Sequence, residues 1–254
     1  MVLSLERWVG KVAIVTGASS GCGAAITERL VIEGLKVVGL ARRLERVEQL
    51  AEKLQGKKGK LYPLKVDITV EKDILEAFKW IKENLGPVHV LVNNAGISKN
   101  TTLSEGDMES WKAVLETNVL GLCIATREAI KDMTENSIAG QIIHISSILG
   151  HYVAHVPKVN MYSASKFAVR ALTETLRQEL LTSGTKIRIS CVSPGPVDTE
   201  FAKAEDSPKE FIGLFSSMPK LEADDVADAV LYILSTPPHV QVQDIMLRPL
   251  GEPV

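Results

Sequence analysis

Short, almost unbroken apolar runs alternate along this chain with longer stretches in which apolar residues return every three or four positions. The first kind reads as strands buried on both faces, the second as helices with one apolar side. Lys11–Thr16, Lys36–Leu40, Leu61–Val66, Val88–Val92, Gln141–Ile145 and Lys186–Val192 predict six strands, and Gln241–Leu247 a seventh. Between them, Cys22–Gly34, Leu44–Gln55, Val70–Asn84, a long stripe over Met108–Glu135, Asn160–Leu181 and Ala223–Leu234 predict helices. Strands alternating with helices in this way argue for an α/β fold, a doubly wound parallel sheet of about seven strands with helices on both faces. The 254 residues suit one such domain over 1–254, and no low-complexity linker or internal repeat divides them. Sheets of this kind bind ligands at the carboxyl ends of their strands, so the chemistry is expected in the loops that follow each strand.

Composition narrows the partners. Apolar residues make up 45% and charged ones 24%, with a net charge of −2, so no basic field points to nucleic acid or to an anionic membrane. No stretch approaches the ~20 apolar residues that span a bilayer. The first eight residues lack a basic region followed by an apolar run, so no secretory leader is expected. Cys22, Cys123 and Cys191 are odd in number and have no metal-ligand spacing. A cytoplasmic, reducing location and no metal site are the expectation.

Two loops carry information about a ligand. Thr16-Gly17-Ala18-Ser19-Ser20-Gly21-Cys22-Gly23 follows the first strand and opens the first helix. Glycines let the backbone turn tightly and approach a phosphate, and a helix N-terminus offers it free N–H groups and a favourable dipole. This placement marks the sheet as Rossmann-type. After the second strand comes Leu40-Ala41-Arg42-Arg43, where an acid would bind the 2′-hydroxyl of NAD. Guanidinium groups instead suit a 2′-phosphate. The expected cofactor is therefore NADP(H), with Arg42 as the main contact and Arg43 as the second.

Tyr162 and Lys166 lie four residues apart in a predicted helix, one turn apart on the same face. Free tyrosine titrates near ~10, and a neighbouring ammonium is expected to pull that value down. Taken alone, such a pair is usually just a solvated helix face. With the glycine loop and the motifs that follow, the sequence resembles the short-chain dehydrogenase/reductase family over almost its whole length. Asn93-Asn94-Ala95-Gly96 follows the fourth strand, Asp67-Ile68 the third, and Pro194-Gly195-Pro196-Val197-Asp198-Thr199 the sixth.

The resemblance implies roles for these residues. Asn118, Ser147, Tyr162 and Lys166 would be the catalytic set. Tyr162 would be the proton-transfer group, Ser147 the group that holds the substrate oxygen, and Asn118 the group that positions a relay water. Lys166 would also hold the nicotinamide ribose. Cofactor contacts would come from Gly17, Ser19, Ser20, Gly21, Cys22, Gly23, Asp67, Ile68, Asn94, Ala95, Gly96, Pro194, Gly195, Val197 and Thr199. Ser146 competes by position, but the family places its serine three residues before the glycine, here Gly150, which selects Ser147.

Two departures matter. Cys22 stands where the family often has an aliphatic residue; it is either a thiol activated at a helix N-terminus or a small side chain packed beside the cofactor. Ser147 and Tyr162 are also spaced slightly further apart than is commonest, so extra residues bulge within 150–159 and leave the alignment of His151, Tyr152 and His155 open. The segment 199–221, with Phe201, Phe211, Ile212, Leu214, Phe215 and Met218, is expected to cover the substrate; an amphipathic helix packed on the domain is the equal alternative.

Through its whole pattern, including Gly39-Leu40-Ala41-Arg42-Arg43 and the ending Val242-Gln243-Asp244-Ile245-Met246-Leu247-Arg248-Pro249, the chain is similar within the family to the insect farnesol dehydrogenase-like and member 11 groups. That similarity implies a lipophilic alcohol or carbonyl substrate, first a prenyl alcohol such as farnesol and second a steroid or small carbonyl. Assembly as a homodimer or homotetramer through 108–135 and 160–181 is implied as well. A non-catalytic dinucleotide sensor would be expected to lack the tyrosine, lysine or serine, and all three are present.

Overall fold

The structure, a computed structural model, describes residues 3–154, 159–203 and 218–252. Seven parallel strands form one sheet in the order β3-β2-β1-β4-β5-β6-β7. They are β1 (Val12–Thr16), β2 (Lys36–Ala41), β3 (Lys60–Lys65), β4 (Val88–Asn93), β5 (Gln141–Ile145), β6 (Arg188–Pro194) and β7 (Asp244–Leu247). The helices are α1 (Gly21–Ile32), α2 (Leu44–Lys53), α3 (Glu71–Asn84), α4 (Met108–Leu115), α5 (Gly121–Glu135), α6 (Asn160–Thr182) and α7 (Ala223–Ser235).

Alternation within the strands builds two cores. Ala13 and Val15 face one side, where Ile26 and Leu30 of α1 and Val226, Val230 and Ile233 of α7 cover them. Val12 and Ile14 face the other, against Ile74 and Ile81 of α3, Ala125 and Met133 of α5, and Leu176 of α6. Successive side chains of a strand point to opposite faces, so a fully apolar strand such as β1 needs helices on both. Ile14, Leu91 and Ile142 are fully buried, each contributing roughly 1.5–3 kcal/mol of apolar burial.

Two elements differ from expectation. The apolar stripe over 108–135 is two helices joined by a π turn at Glu116–Leu120, with Asn118 buried inside it. The stripe runs through this turn without interruption, so hydrophobic spacing alone cannot reveal it. The last strand is only Asp244–Leu247; Gln241 and Val242 approach it as a loop whose main chain caps Ser190 on β6.

Strand order reverses between β1 and β4, which are direct neighbours. Thr16 is in register with Leu40, so the glycine loop and the Arg42–Arg43 turn emerge at the same end. The loops after β4, β5 and β6 open there too, and this edge holds the site.

Candidate active site

A cleft of about 1410 Å³ runs along the carboxyl edge of the sheet, from Arg42, Arg43 and Asp67 at one end to Leu149 and Tyr152 at the other. It brings together all the residues expected at the site except Asn118, which lies directly behind it. The glycine loop is built by close approach. A Cβ on Gly23 would sit 2.2 Å from the Gly17 carbonyl oxygen and 2.4 Å from Asn94 Nδ2. Asn94 Nδ2 donates to the Thr16 carbonyl at 2.9 Å, and the Asn94 and Ala95 N–H groups both donate to Thr16 Oγ1 at 3.0 Å. The loops after β1 and β4 are thereby bolted together.

The start of α1 has no side-chain cap and no acid in its first turn. Its N–H groups and dipole are open to an anion. A long cleft, a glycine loop too tight for side chains and an uncapped helix end fit a dinucleotide pyrophosphate.

At the Arg42–Arg43 end, where the sequence places the adenosine, Asp67 Oδ1 accepts from Thr69 N–H at 3.0 Å and Thr69 Oγ1 at 2.8 Å, which fixes the Asp67-Ile68 turn. Arg42 lines the cleft but makes no hydrogen bond with the described residues, whereas Arg43 reaches Ser20 Oγ at 2.8 Å and Ser19 Oγ at 3.2 Å. Arg43, expected as the second contact, is therefore the one laid over the glycine loop. Arg46, which the sequence reading missed, lines the same end. Its position one turn after Arg43 on α2 was the available signal.

At the other end, the loop after β5 presents both serines. Ser146 Oγ donates to the Lys166 carbonyl at 3.2 Å and is spent on α6. Ser147 Oγ accepts from Leu149 N–H at 3.1 Å and lies close enough to the Tyr162 phenol to lower its pKa slightly. Of the two, Ser147 is the one that acts on the phenol. Gly150 lets this turn lie on α6: a Cβ there would stand 2.7 Å from the Lys166 carbonyl oxygen. Lys166 Nζ lies 5.5 Å from the Tyr162 ring centroid and donates to the Ile145 carbonyl at 2.9 Å.

Asn118 is almost wholly committed. Its Oδ1 accepts from Ile97 N–H at 2.8 Å, and its Nδ2 donates to the Ile97 carbonyl and to Ser165 Oγ, each at 2.9 Å. Ser165 Oγ donates onward to the Tyr162 carbonyl at 2.7 Å. A methyl group on Gly96 would come within 3.5 Å of Asn118 Oδ1 and 3.7 Å of Lys166 Nζ, so the bare glycine keeps a gap between amide and ammonium.

The electrostatics differ from the sequence expectation. Burial pushes the Tyr162 phenol up to about 12, against a smaller lowering by the Ser147 hydrogen bond. Burial also pulls Lys166 down to about 8. The lowering of the phenol expected from Lys166 does not dominate: desolvation is the largest influence on Tyr162, and the Lys166 ammonium is turned to the Ile145 carbonyl. Cys22 is likewise pushed up to about 11 by burial and packs against the apolar core. The raised pKa and the packing are those of a small side chain beside the cleft, the second of the two expected readings.

A polar chain missed from sequence lies behind the site. Asn93 Nδ2 donates to Thr126 Oγ1 at 2.8 Å, and His144 sits between Thr126 at 3.3 Å and Thr173 at 2.9 Å. Thr173 donates to the Val169 carbonyl at 2.7 Å, so it accepts from His144 Nδ1–H, and the imidazole is neutral; burial holds its pKa down at about 3. His144 thereby ties β5 to the helix that carries Tyr162.

Of the residues with open alignment, Tyr152 lines the cleft, while His151 turns away to Ser193 Oγ at 2.9 Å. His155 lies outside the described residues, as do Phe211, Ile212, Leu214 and Phe215 of the 199–221 segment. That segment is pinched at its base, where Asp198 N–H donates to the Leu221 carbonyl and Leu221 N–H to that of Pro196, both at 2.8 Å. Phe201 and Met218 line the cleft, and the Phe201 ring lies 5.5 Å from that of Tyr162.

A half-buried phenol beside a buried hydroxyl and a buried ammonium, converging on a dinucleotide cleft, define an oxidoreductase site. The family model described as short chain dehydrogenase matches residues 11–210, and the chain belongs to the short-chain dehydrogenase/reductase family. It is similar to farnesol dehydrogenase of Aedes aegypti, with 46% identity over 98% of this chain and 99% of that protein. It is also similar to dehydrogenase/reductase SDR family member 11 of Mus musculus, with 47% identity over 96% of each. Among solved structures it resembles an alcohol dehydrogenase from the archaeon Thermococcus sibiricus complexed with 5-hydroxy-NADP, with TM-score 0.83, 29% identity and coverage of 96% of this chain and 98% of that one.

Proposed function

We propose that this protein is an NADP(H)-dependent oxidoreductase that interconverts a lipophilic alcohol and its carbonyl, with a prenyl alcohol such as farnesol as the first candidate. The observation that carries the reading is that Ser147, Tyr162 and Lys166 line one end of a dinucleotide cleft together, with Lys166 Nζ 5.5 Å from the Tyr162 ring centroid. The name of the mosquito relative supports the substrate class, and three arginines at the adenosine end support the 2′-phosphate.

The nicotinamide, when bound, would supply or accept the hydride. Ser147 would hold the substrate oxygen and restrict its approach, an effect of orientation and charge. Tyr162, held protonated at neutral pH, would donate its proton to the carbonyl oxygen during reduction; oxidation needs the phenolate and runs better as pH rises. Asn118 would fix Ile97 and the Ser165–Tyr162 turn, while the gap over Gly96 would take the relay water beside Lys166. Phe201 and Met218 would give the 199–221 segment an apolar wall over the substrate.

The free thiols at Cys22, Cys123 and Cys191 fit a cytoplasmic location, and no helix among the described residues is long and apolar enough to cross a membrane. Exposed Met108, Leu120, Phe167 and Leu181 on α4 to α6 support a homodimer or homotetramer. Steady-state rates with prenyl alcohols and aldehydes, steroids and small carbonyls, each with both cofactors, test the reading. Turnover of the prenyl pair with a clear NADP(H) preference is expected. Equal rates with NAD(H), or steroids outrunning prenyl substrates, would displace the cofactor or the substrate assignment respectively.

A further inference from the structure

Three consecutive residues after β6 touch three different parts of the cleft. Thr199 packs on the glycine loop, where a Cβ on Gly21 would lie 3.1 Å from Thr199 Cγ2. Phe201 leans on the ring of Tyr162. Between them, the Glu200 carboxylate accepts from Arg46 Nη1 at 2.6 Å and from Arg43 Nη1 at 3.3 Å. These hydrogen bonds, that of Arg46 first, hold its pKa below the usual carboxylate range.

The groups around Glu200 are those of an anion subsite. Arg43 is the N-cap of α2 and Arg46 stands in its first turn, with no side-chain cap on that helix. A helix N-terminus disfavours cations and favours an anion, and the first turn of α2 holds one acid, Glu45, against these two arginines, so a further negative group suits them. Ser19 and Ser20 hydroxyls reach the same guanidinium. A carboxylate from a segment far away in sequence serves as the anion.

Resting on the NADP(H) reading, we propose that Glu200 is an internal competitor for the cofactor's 2′-phosphate. Arg43 and Arg46 hold either the phosphate or Glu200, so phosphate binding frees the start of the substrate-covering segment from the adenosine end of the cleft. A phosphate monoester carries about −1.5 to −2 charge and three acceptor oxygens, and guanidinium pairs with it bidentately, so it displaces a single carboxylate. A cofactor without that phosphate leaves the Glu200 contacts in place. Because Phe201 follows directly and packs on Tyr162, the exchange reaches the wall beside the catalytic phenol.

The test is equilibrium binding of NADPH and NADH, read by cofactor fluorescence, to the wild type, Glu200→Gln and Arg46→Met. Hydrogen exchange over 196–201 accompanies it. Glu200→Gln should bind NADPH about threefold tighter, the scale of an exposed ion pair, with NADH unchanged. Arg46→Met should weaken NADPH alone. In the wild type, NADPH but not NADH should speed exchange of the segment relative to that expected from ligand protection elsewhere, and the difference should vanish in Glu200→Gln. Unchanged or weaker NADPH binding by Glu200→Gln overturns the proposal. If the wild type prefers NADH yet Glu200→Gln still tightens NADPH, the cofactor reading fails and the competitor stands. If the wild type prefers NADPH and neither variant alters its affinity, the reverse holds.

Discussion

The two ends of the cleft are held in different ways. At the catalytic end, Asn118, Ser147 and Lys166 are all buried, and Ser165 and Ser146 fasten α6 to its neighbours. At the adenosine end, Arg43, Arg46 and Glu200 keep side-chain exposures of 45%, 40% and 59% and meet across elements distant in sequence. Proton transfer requires fixed geometry, since a shift of about 1 Å can cost roughly 10²-fold. Charge recognition tolerates exposed, exchangeable partners, and it weakens in salt where the catalytic pair does not.

The largest effect that would break this contrast lies at Tyr162. Tyr162→Phe should lower kcat/KM by on the order of 10³-fold, within the range for acid–base groups, while cofactor affinity measured by fluorescence stays within about twofold. Wild-type turnover in that variant would remove the tyrosine from the chemistry.

The rigidity of the catalytic end is tested next through His144. Its folded pKa of about 3 lies below the unfolded value of 6.5, so the unfolded chain binds the extra proton between them. Stability from this group is therefore complete above pH 6.5 and is lost on acidification below it, at up to about 1.4 kcal/mol per pH unit. Urea unfolding of His144→Gln should show a shallower acid limb than the wild type, and parallel limbs would contradict the buried neutral imidazole.

Gly96→Ala is a smaller and more selective probe. The new methyl would meet its neighbours at ordinary contact distances of 3.5 Å and beyond, so the melting temperature should hold. Filling the gap between Asn118 and Lys166 should slow turnover by on the order of tenfold. An unchanged rate would take the gap out of the proton path.

At the exposed end the effects should be smallest. Arg43→Ser should weaken NADPH by roughly fivefold to tenfold, the scale of a charged hydrogen bond partly screened by water, and Arg42→Ser by less. Titrations of both variants with NADPH and NADH at two salt concentrations decide the order. A larger loss at Arg42 would restore that residue as the main contact.

The same contrast explains what could be read in advance. Strands β1 to β6 were legible to within about two residues because each is a short apolar run bounded by turns. The π turn at Glu116–Leu120 was hidden because a single inserted residue leaves the apolar stripe looking continuous. The direction of the Tyr162 shift in the protein alone is not legible in the sequence, because spacing along a helix reports the neighbour, Lys166, and not the desolvation that is the largest cause. The Asn93–Thr126–His144–Thr173 chain joins four elements and has no local signature.

By itself the sequence determined the alternating sheet and helices, the glycine loop and the Tyr162–Lys166 turn, because each rests on contacts within a few residues of chain. Only the tertiary structure decided that Ser146 is spent on the Lys166 carbonyl, that His151 turns away while Tyr152 lines the cleft, and that Glu200 reaches Arg43 and Arg46. Those outcomes depend on how separate loops pack at the sheet edge, where burial and charge from distant segments are set together.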